Sequence, residues 1–324
     1  MRFLVTGITG FAGPHLAKLL LREGHDVSGM VRSSNGRQLD LLDVIRSDEL
    51  ESIKWVYADL TDYCSVSNII ANNTFDGIFH LAAQSHPPTS FTEPVQTFSA
   101  NVMGSMHLIS AVQKYQPDCR FHFCSTSEVY GNICATYGPL DEDAPIQPIN
   151  PYGTSKAAVD LHVQECVHND RLNGYVTRAF SHTGPRRGRT FSIASDAYQI
   201  ARMMVGLDEN HTLLVGNLET QRVVMDVRDC VQAYYQLMMS DECGIFNVCG
   251  DELHEMQYFT DLMIDQSGID DIKQEIHPPF YRPIDIAVQT SFTDKLHKAV
   301  GWTTTIPIET TIRDLLLYWK AKVR

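Results

Sequence analysis

A chain of 324 residues, 44% hydrophobic and 20% charged, has the composition of an ordinary soluble globular protein and enough material for a single-core α/β enzyme or two closely joined domains. Its 26 basic against 39 acidic side chains leave a net charge of −13, which argues against nucleic acid or an anionic membrane as a partner, although local basic spots could hold a small anion. No apolar run approaches the roughly 20 residues of a membrane span. The chain enters a strand within its first six residues, so no signal peptide is expected. The eight cysteines (Cys64, Cys119, Cys124, Cys134, Cys166, Cys230, Cys243 and Cys249) form no C-x-x-C pair and show no zinc spacing, so they read as reduced thiols of a cytoplasmic protein with no metal.

Arg2 to Thr6 is a short apolar strand, followed by Gly7-Ile8-Thr9-Gly10-Phe11-Ala12-Gly13 and a helix from Pro14 to Glu23 that buries Leu16, Leu19 and Leu20. Glycines at 7, 10 and 13 allow a tight turn and close approach of a pyrophosphate to the helix N-terminus, which makes Gly7, Thr9, Gly10, Phe11 and Gly13 candidate cofactor contacts. The second strand, His25 to Val31, ends without the carboxylate that binds a ribose 2′-hydroxyl in NAD enzymes. It runs into Arg32-Ser33-Ser34-Asn35-Gly36-Arg37, whose arginine and hydroxyls suit a 2′-phosphate. NADP is therefore favoured, with NAD as the alternative if this is only a solvated turn.

Lys54 to Ala58 is a third strand leading to Asp59-Leu60, where the carboxylate caps a helix or meets an adenine. Phe75 to Leu81 is a fourth, and Leu81, Ala82 and Ala83 at its end are small or apolar enough for a cofactor to pass closely. Ser85 and His86 follow; with Pro87 and Pro88 next, His86 reads as a structural or substrate contact rather than an acid or base. A helix is expected over Asn101 to Tyr115, with Val102, Met106, Ile109 and Val112 on one side.

The fifth strand, Arg120 to Cys124, delivers Ser125-Thr126-Ser127-Glu128 to the carboxyl end of the sheet, where ligands of doubly wound sheets bind. Asn150-Pro151-Tyr152-Gly153-Thr154-Ser155-Lys156 places Tyr152 and Lys156 on one helix face. A phenol with a pKa near ~10 is a poor base at neutral pH, and an ammonium nearby lowers that value. The pair can then take a hydroxyl proton while hydride leaves the carbon. Thr126 or Ser127 completes an alcohol-oxidising triad, and Glu128 can move a second proton, unless it only pairs with a basic residue.

Tyr175 to Phe180 is a sixth strand. In the Ser181 to Arg189 loop, Arg186, Arg187 and Arg189 either grip a diphosphate or belong to a solvated, subunit-joining loop. Ile193 to Gly206 is helical, Val224 to Asp229 opens a helix returning to the first domain, and Arg282 is a candidate phosphate clamp. Thr311 to Lys320 is a last amphipathic helix with Ile312, Leu315, Leu316 and Trp319 inward. The expected fold is α/β, a Rossmann-type doubly wound parallel sheet with a smaller C-terminal α/β substrate domain. The first domain takes residues 1–176 and about 223–250, the second 177–222 and 251–324.

The glycine loop, His80-Leu81-Ala82-Ala83-Gln84-Ser85, Ser125–Gly131 and the Tyr152/Lys156 pair resemble the extended short-chain dehydrogenase/reductase superfamily. Within it, Ala82-Ala83-Gln84-Ser85-His86, Ser125-Thr126-Ser127-Glu128 and Pro185-Arg186-Arg187-Gly188 are similar to GDP-mannose 4,6-dehydratases. The resemblance implies that Thr126, Glu128, Tyr152 and Lys156 are catalytic, that Arg222 holds substrate phosphate, that the partner is a GDP-sugar, and that the protein is a homodimer or homotetramer. Ser181, and Ser192-Ile193 in place of a basic pair, depart from that pattern; Phe191–Ser195, Ile200–Met203 and Phe246–Cys249 look more like GDP-4-keto-6-deoxymannose reductases. The expected activity is a GDP-sugar 4,6-dehydratase. The alternatives are such a reductase, a 4-dehydrogenase or epimerase on a related sugar, and a non-catalytic cofactor-binding member.

Overall fold

Phe3, Leu4 and Val5 are all fully buried; an apolar run without alternation is how a strand covered by helices on both faces reads. In the computed structural model, which describes residues 1–33, 37–281 and 284–323, this segment is β1 (Arg2–Thr6) of a seven-stranded sheet. The other strands are β2 (Asp26–Val31), β3 (Lys54–Tyr57), β4 (Gly77–His80), β5 (Arg120–Thr126), β6 (Gly174–Ala179) and β7 (Gly244–Val248). Their order is β7-β6-β5-β4-β1-β2-β3, parallel throughout. The order reverses between β1 and β4, which opens a crevice at the carboxyl ends of those strands.

Helices α1 (Ala12–Arg22) and α6 (Val227–Met238) pack on one face of the sheet. Helices α2 (Tyr63–Asn72), α3 (Gly104–Tyr115) and α4 (Pro151–His168) pack on the other. Leu16, Leu19 and Leu20 point inward as expected, but α1 begins at Ala12. The helix expected from Asn101 instead enters through a π-helical turn, Ser99–Met103, before becoming regular at Gly104. Such turns recur at functional sites because the extra residue re-aims side chains. Here Asn101 accepts from Gln84 N (2.8 Å) and donates to Ser155 Oγ (2.9 Å), tying the end of β4 to the first turn of α4.

Beyond β6 the sheet gains β7, paired in register with β6. A second core forms where α5 (Ser192–Met204), α7 (Met256–Ser267) and α8 (Ile308–Lys322) meet around Phe259, Met263, Ile312 and Leu315. It carries two short sheets: Thr212–Val215 beside Lys273–Ile276, and Gln221–Val223 between Leu253–Glu255 and Val288–Gln289. Among the described residues no helix is long and apolar enough to cross a membrane. Asp43, at the end of the 3-10 turn Arg37–Asp43, joins the two regions. It accepts from Arg186 Nη1 (3.2 Å) and Tyr318 Oη (3.1 Å) and pairs with Lys322 Nζ (2.5 Å). Arg186 holds this position from a left-handed backbone, φ 75°, a conformation that costs a non-glycine residue roughly 1–2 kcal/mol.

Candidate active site

Gly7 turns left-handed, φ +71°, and a Cβ there would stand 2.8 Å from Ala82 N; at Gly13 it would stand 2.4 Å from Gly7 O and 2.6 Å from Ile8 Cα. Loop, β4 end and α1 therefore touch backbone to backbone. Phe11, the N-cap of α1, makes no side-chain cap hydrogen bond among the described residues, which suits the first N–H groups to an anion in the crevice. A cavity of about 1020 Å³ starts at this loop, and Thr9, Gly10, Phe11, Arg32, Asp59, Leu60, Leu81, Ala82 and Ala83 all line it. Asp59 accepts from Thr61 N (2.9 Å) and Oγ1 (2.8 Å), which, with the charge of Arg32, holds its carboxyl below the usual range. This cradle fits an extended dinucleotide. The turn after β2 lies in part (34–36) outside the described residues. Gly13→Ala should overpack the loop, lowering stability by about 1–3 kcal/mol and weakening nicotinamide-cofactor binding at least tenfold, as read by fluorescence titration of NADPH.

The same cavity is lined by Thr126, Ser127, Glu128, Tyr152 and Lys156, all buried. β5 runs on through Thr126, two residues past its expected end, and breaks into the 3-10 turn Ser127–Tyr130, with Thr126 Oγ1 accepting from Glu128 N (3.3 Å). Asn150 caps α4: its Oδ1 accepts from Gly153 N (2.7 Å), while its Nδ2 donates to Glu128 Oε2 (2.7 Å). One amide thus starts the helix that carries Tyr152 and orients the carboxylate beside it. Asn150→Ser keeps an acceptor for the cap but removes the donor to Glu128. Turnover should fall roughly tenfold, the worth of a hydrogen bond to a charged group, with melting temperature shifted by about 4 °C at most.

The electrostatics differ from the sequence expectation. Burial raises the Tyr152 phenol above its ordinary value, opposed by a hydrogen bond with Thr126 and the charge of Arg187. Burial also lowers Lys156 to about 8, against the pull of Cys124 and Asp160, and its Nζ lies 4.2 Å over the Phe123 ring. Desolvation outweighs the tyrosine–lysine spacing in the cleft. Behind it Ser125 Oγ donates to Asp160 Oδ2 (2.6 Å), Asp160 pairs with Arg178 (3.0 Å), and Arg178 donates to Tyr130 Oη (2.8 Å), a buried network that locks β5, β6 and α4 together.

On the substrate side, Ser85 and His86 also line the cavity. His86 Nδ1 meets Thr89 Oγ1 (2.9 Å) and Nε2 meets Thr190 O (3.2 Å). Arg187 lies over the Phe11 and Phe191 rings (4.7 and 3.5 Å), bridging the glycine loop and the start of α5. Arg222 reaches the cavity wall, yet its guanidinium also holds the 285–287 segment, donating to Ile286 O (2.6 Å) and pairing with Asp285 (3.3 Å). Arg186 faces Asp43, and Arg189 lies over Tyr198. Arg282 lies outside the described residues.

Gln289, Asp196 and His182 are among the cavity residues that the sequence did not single out. Gln289 stands in register with Arg222, and its buried Nε2 has no hydrogen-bond partner among the described residues. His182 stacks on Phe11 at 5.7 Å, and burial lowers its pKa to about 4. Asn150 had an available signal, an N-cap residue directly before a proline-initiated helix. The eight cysteines are free thiols. His162, Glu165 and Cys166 of α4 each bring one ligand atom within 4.8 Å of the others, with Glu165 also paired to Arg171.

Known proteins place this geometry. GDP-6-deoxy-D-mannose reductase of Pseudomonas aeruginosa is 29% identical over 100% of this chain and 98% of its own length. GDP-mannose 4,6-dehydratase of Yersinia enterocolitica is 28% identical over 97% and 92%. The structure of RMD from Pseudomonas aeruginosa complexed with NADPH superimposes with a TM-score of 0.83 at 27% identity, covering 99% of each chain. Residues 4–315 match the family described as GDP-mannose 4,6 dehydratase, and the chain belongs to that family of nucleotide-sugar enzymes.

Proposed function

We propose that the protein is a GDP-sugar 4,6-dehydratase acting on GDP-mannose or a close relative through bound NADP. The single observation that carries the reading is Glu128, a carboxylate oriented by Asn150 on the same cavity wall as Tyr152 and Thr126. The Gly7–Gly13 loop and Ala82–Ala83 would hold the pyrophosphate and nicotinamide ends, and Arg32 the adenosine 2′-phosphate. Residues 1–176 with about 223–250 form the cofactor half, and the remainder the sugar-nucleotide half, where Ser85, His86, Arg187, Arg222 and Arg282 contact the substrate. Bound NADP⁺ supplies a hydride acceptor, a hydride donor and a positive charge.

Tyr152, as the phenolate that Thr126 hydrogen-bonds and Lys156 supports, takes the C4 hydroxyl proton and becomes the neutral phenol. The C4 ketone acidifies the C5 proton, which Glu128 removes. The protonated Glu128 then delivers that proton to the departing C6 hydroxyl, so that water leaves; Ser127 lends a hydrogen bond. As the C5–C6 double bond is saturated by hydride at C6, Tyr152 gives its proton to C5, leaving a 4-keto-6-deoxy sugar with atoms and electrons balanced.

The second reading is a GDP-4-keto-6-deoxymannose reductase, in which the neutral Tyr152 protonates the C4 ketone oxygen. It is favoured by the full-length match to the Pseudomonas reductase and by a phenol that burial keeps protonated. Incubation with GDP-mannose and no added cofactor, followed by mass spectrometry, decides between them. Loss of one water without net cofactor consumption is expected. An unchanged GDP-mannose, with NADPH-dependent conversion of a 4-keto GDP-sugar, makes the protein a reductase. The dimer or tetramer belongs to the same proposal and is read by light scattering.

A further inference from the structure

Asp196 lies in the second turn of α5, only 4% exposed, yet on the cavity wall. Its Oδ2 accepts from Thr260 Oγ1 of α7 at 2.9 Å. Burial holds its pKa up to about 7, opposed by that one hydrogen bond. A carboxylate has about four acceptor sites, and a buried one that is not neutralised by protein donors is stabilised in its ionised form by a ligand that brings N–H or O–H groups. The surroundings suit a flat ring. Thr260 is one helical turn from Met256, whose N–H donates to Thr220 O (2.9 Å), and Gln257 N donates to Leu218 O (3.1 Å). Leu218, Met256 and Gly216 line the same cavity as the carboxyl.

The reacting sugar carbons must lie at Tyr152 and Glu128, so the nucleotide end of the substrate is the part left for α5 and α7. We propose that Asp196 is the specificity-determining residue for the base, accepting the two adjacent N–H donors of guanine, at N1 and N2. The inference rests on the GDP-sugar reading above. Uracil offers a single N–H between two carbonyls, and adenine and cytosine set an acceptor beside their amino group, so each of these places an acceptor against the carboxylate. A site built around a hydrogen bond rejects analogues that lack it far more strongly than an apolar pocket rejects a missing methylene.

Calorimetry on the full NADPH-loaded chain tests this with GDP, inosine diphosphate (no N2 amino group), xanthosine diphosphate (a carbonyl at that position) and UDP. The wild type should prefer GDP to inosine diphosphate by roughly 10- to 100-fold, the worth of one hydrogen bond to a charged acceptor. Asp196→Asn turns one acceptor into a donor, so it should lose that preference and bind xanthosine diphosphate more tightly than GDP, with NADPH affinity unchanged. A GDP-to-inosine-diphosphate ratio unaltered by Asp196→Asn overturns the role of Asp196 alone. A wild type that does not discriminate the two overturns it without any variant, so a poorly folding variant leaves the test intact. Preference of the wild type for UDP over GDP overturns the GDP-sugar reading itself.

Discussion

Tyr152→Phe is expected to lower turnover by about 10³- to 10⁴-fold, the upper part of what a positioned acid–base group contributes, while NADPH still binds. The substitution removes one oxygen from a buried side chain and with it the hydrogen bond to Thr126, leaving the ring in place. The backbone N–H of residue 152 keeps its bond to Ser90 Oγ (3.1 Å), so the first turn of α4 should not move. Steady-state assays beside a fluorescence titration of NADPH separate the two effects. Variant turnover within tenfold of wild type would remove the phenol from the mechanism and leave proton transfer to Glu128 or water.

Glu128→Gln should reduce dehydration by about 10²- to 10⁴-fold without stopping oxidation at C4. A glutamine carbonyl can still accept from Asn150 Nδ2, so the cap of α4 and the position of Tyr152 are preserved. What disappears is the ability to carry the C5 proton to the departing hydroxyl. Substrate deuterated at C4 should then transfer its label to the cofactor in a single turnover with no water lost. A reductase would respond differently: its ketone is protonated by Tyr152, so the glutamine variant should retain most of its turnover. Undiminished dehydration would sink the assigned role of Glu128.

The parts of the site that depend on local spacing were legible in the chain. Gly7, Gly10 and Gly13 sit between a strand and a helix, and their contacts with Ala82 and Ile8 are the close approaches that the pattern requires. Tyr152 and Lys156 share a face of α4 because four residues are about one helical turn. Their ionisation was not legible, because burial, a property of the assembled core, is the first cause of both shifts. β7 was missed for a related reason. Its five residues pair with partners 69 positions earlier (Gly244 with Tyr175), and nothing local to Gly244–Val248 reports those partners. That the Arg222 guanidinium also holds the Asp285–Ala287 segment was not legible, because that segment comes from far along the chain. Asp196 and Gln289 reach the cavity only once α5 and the Val288–Gln289 strand have docked.

Asp43 has a consequence for how one ligand affects the affinity of another. Its two oxygens receive a guanidinium from the loop before α5 and a phenol and an ammonium from α8, at the end of the turn that follows Arg32. Arg186 from that loop also reaches Thr9 O at 3.4 Å, inside the glycine loop. The loop before α5 and the terminal helix thus share one anion, Arg186 carries the link on to the glycine loop, and displacing any partner of Asp43 changes the charge balance that holds the others. Linkage then requires reciprocity: the factor by which cofactor improves sugar affinity is the factor by which sugar improves cofactor affinity. Affinity for the nicotinamide then depends on the occupancy of a neighbouring site as well as on the glycine cradle.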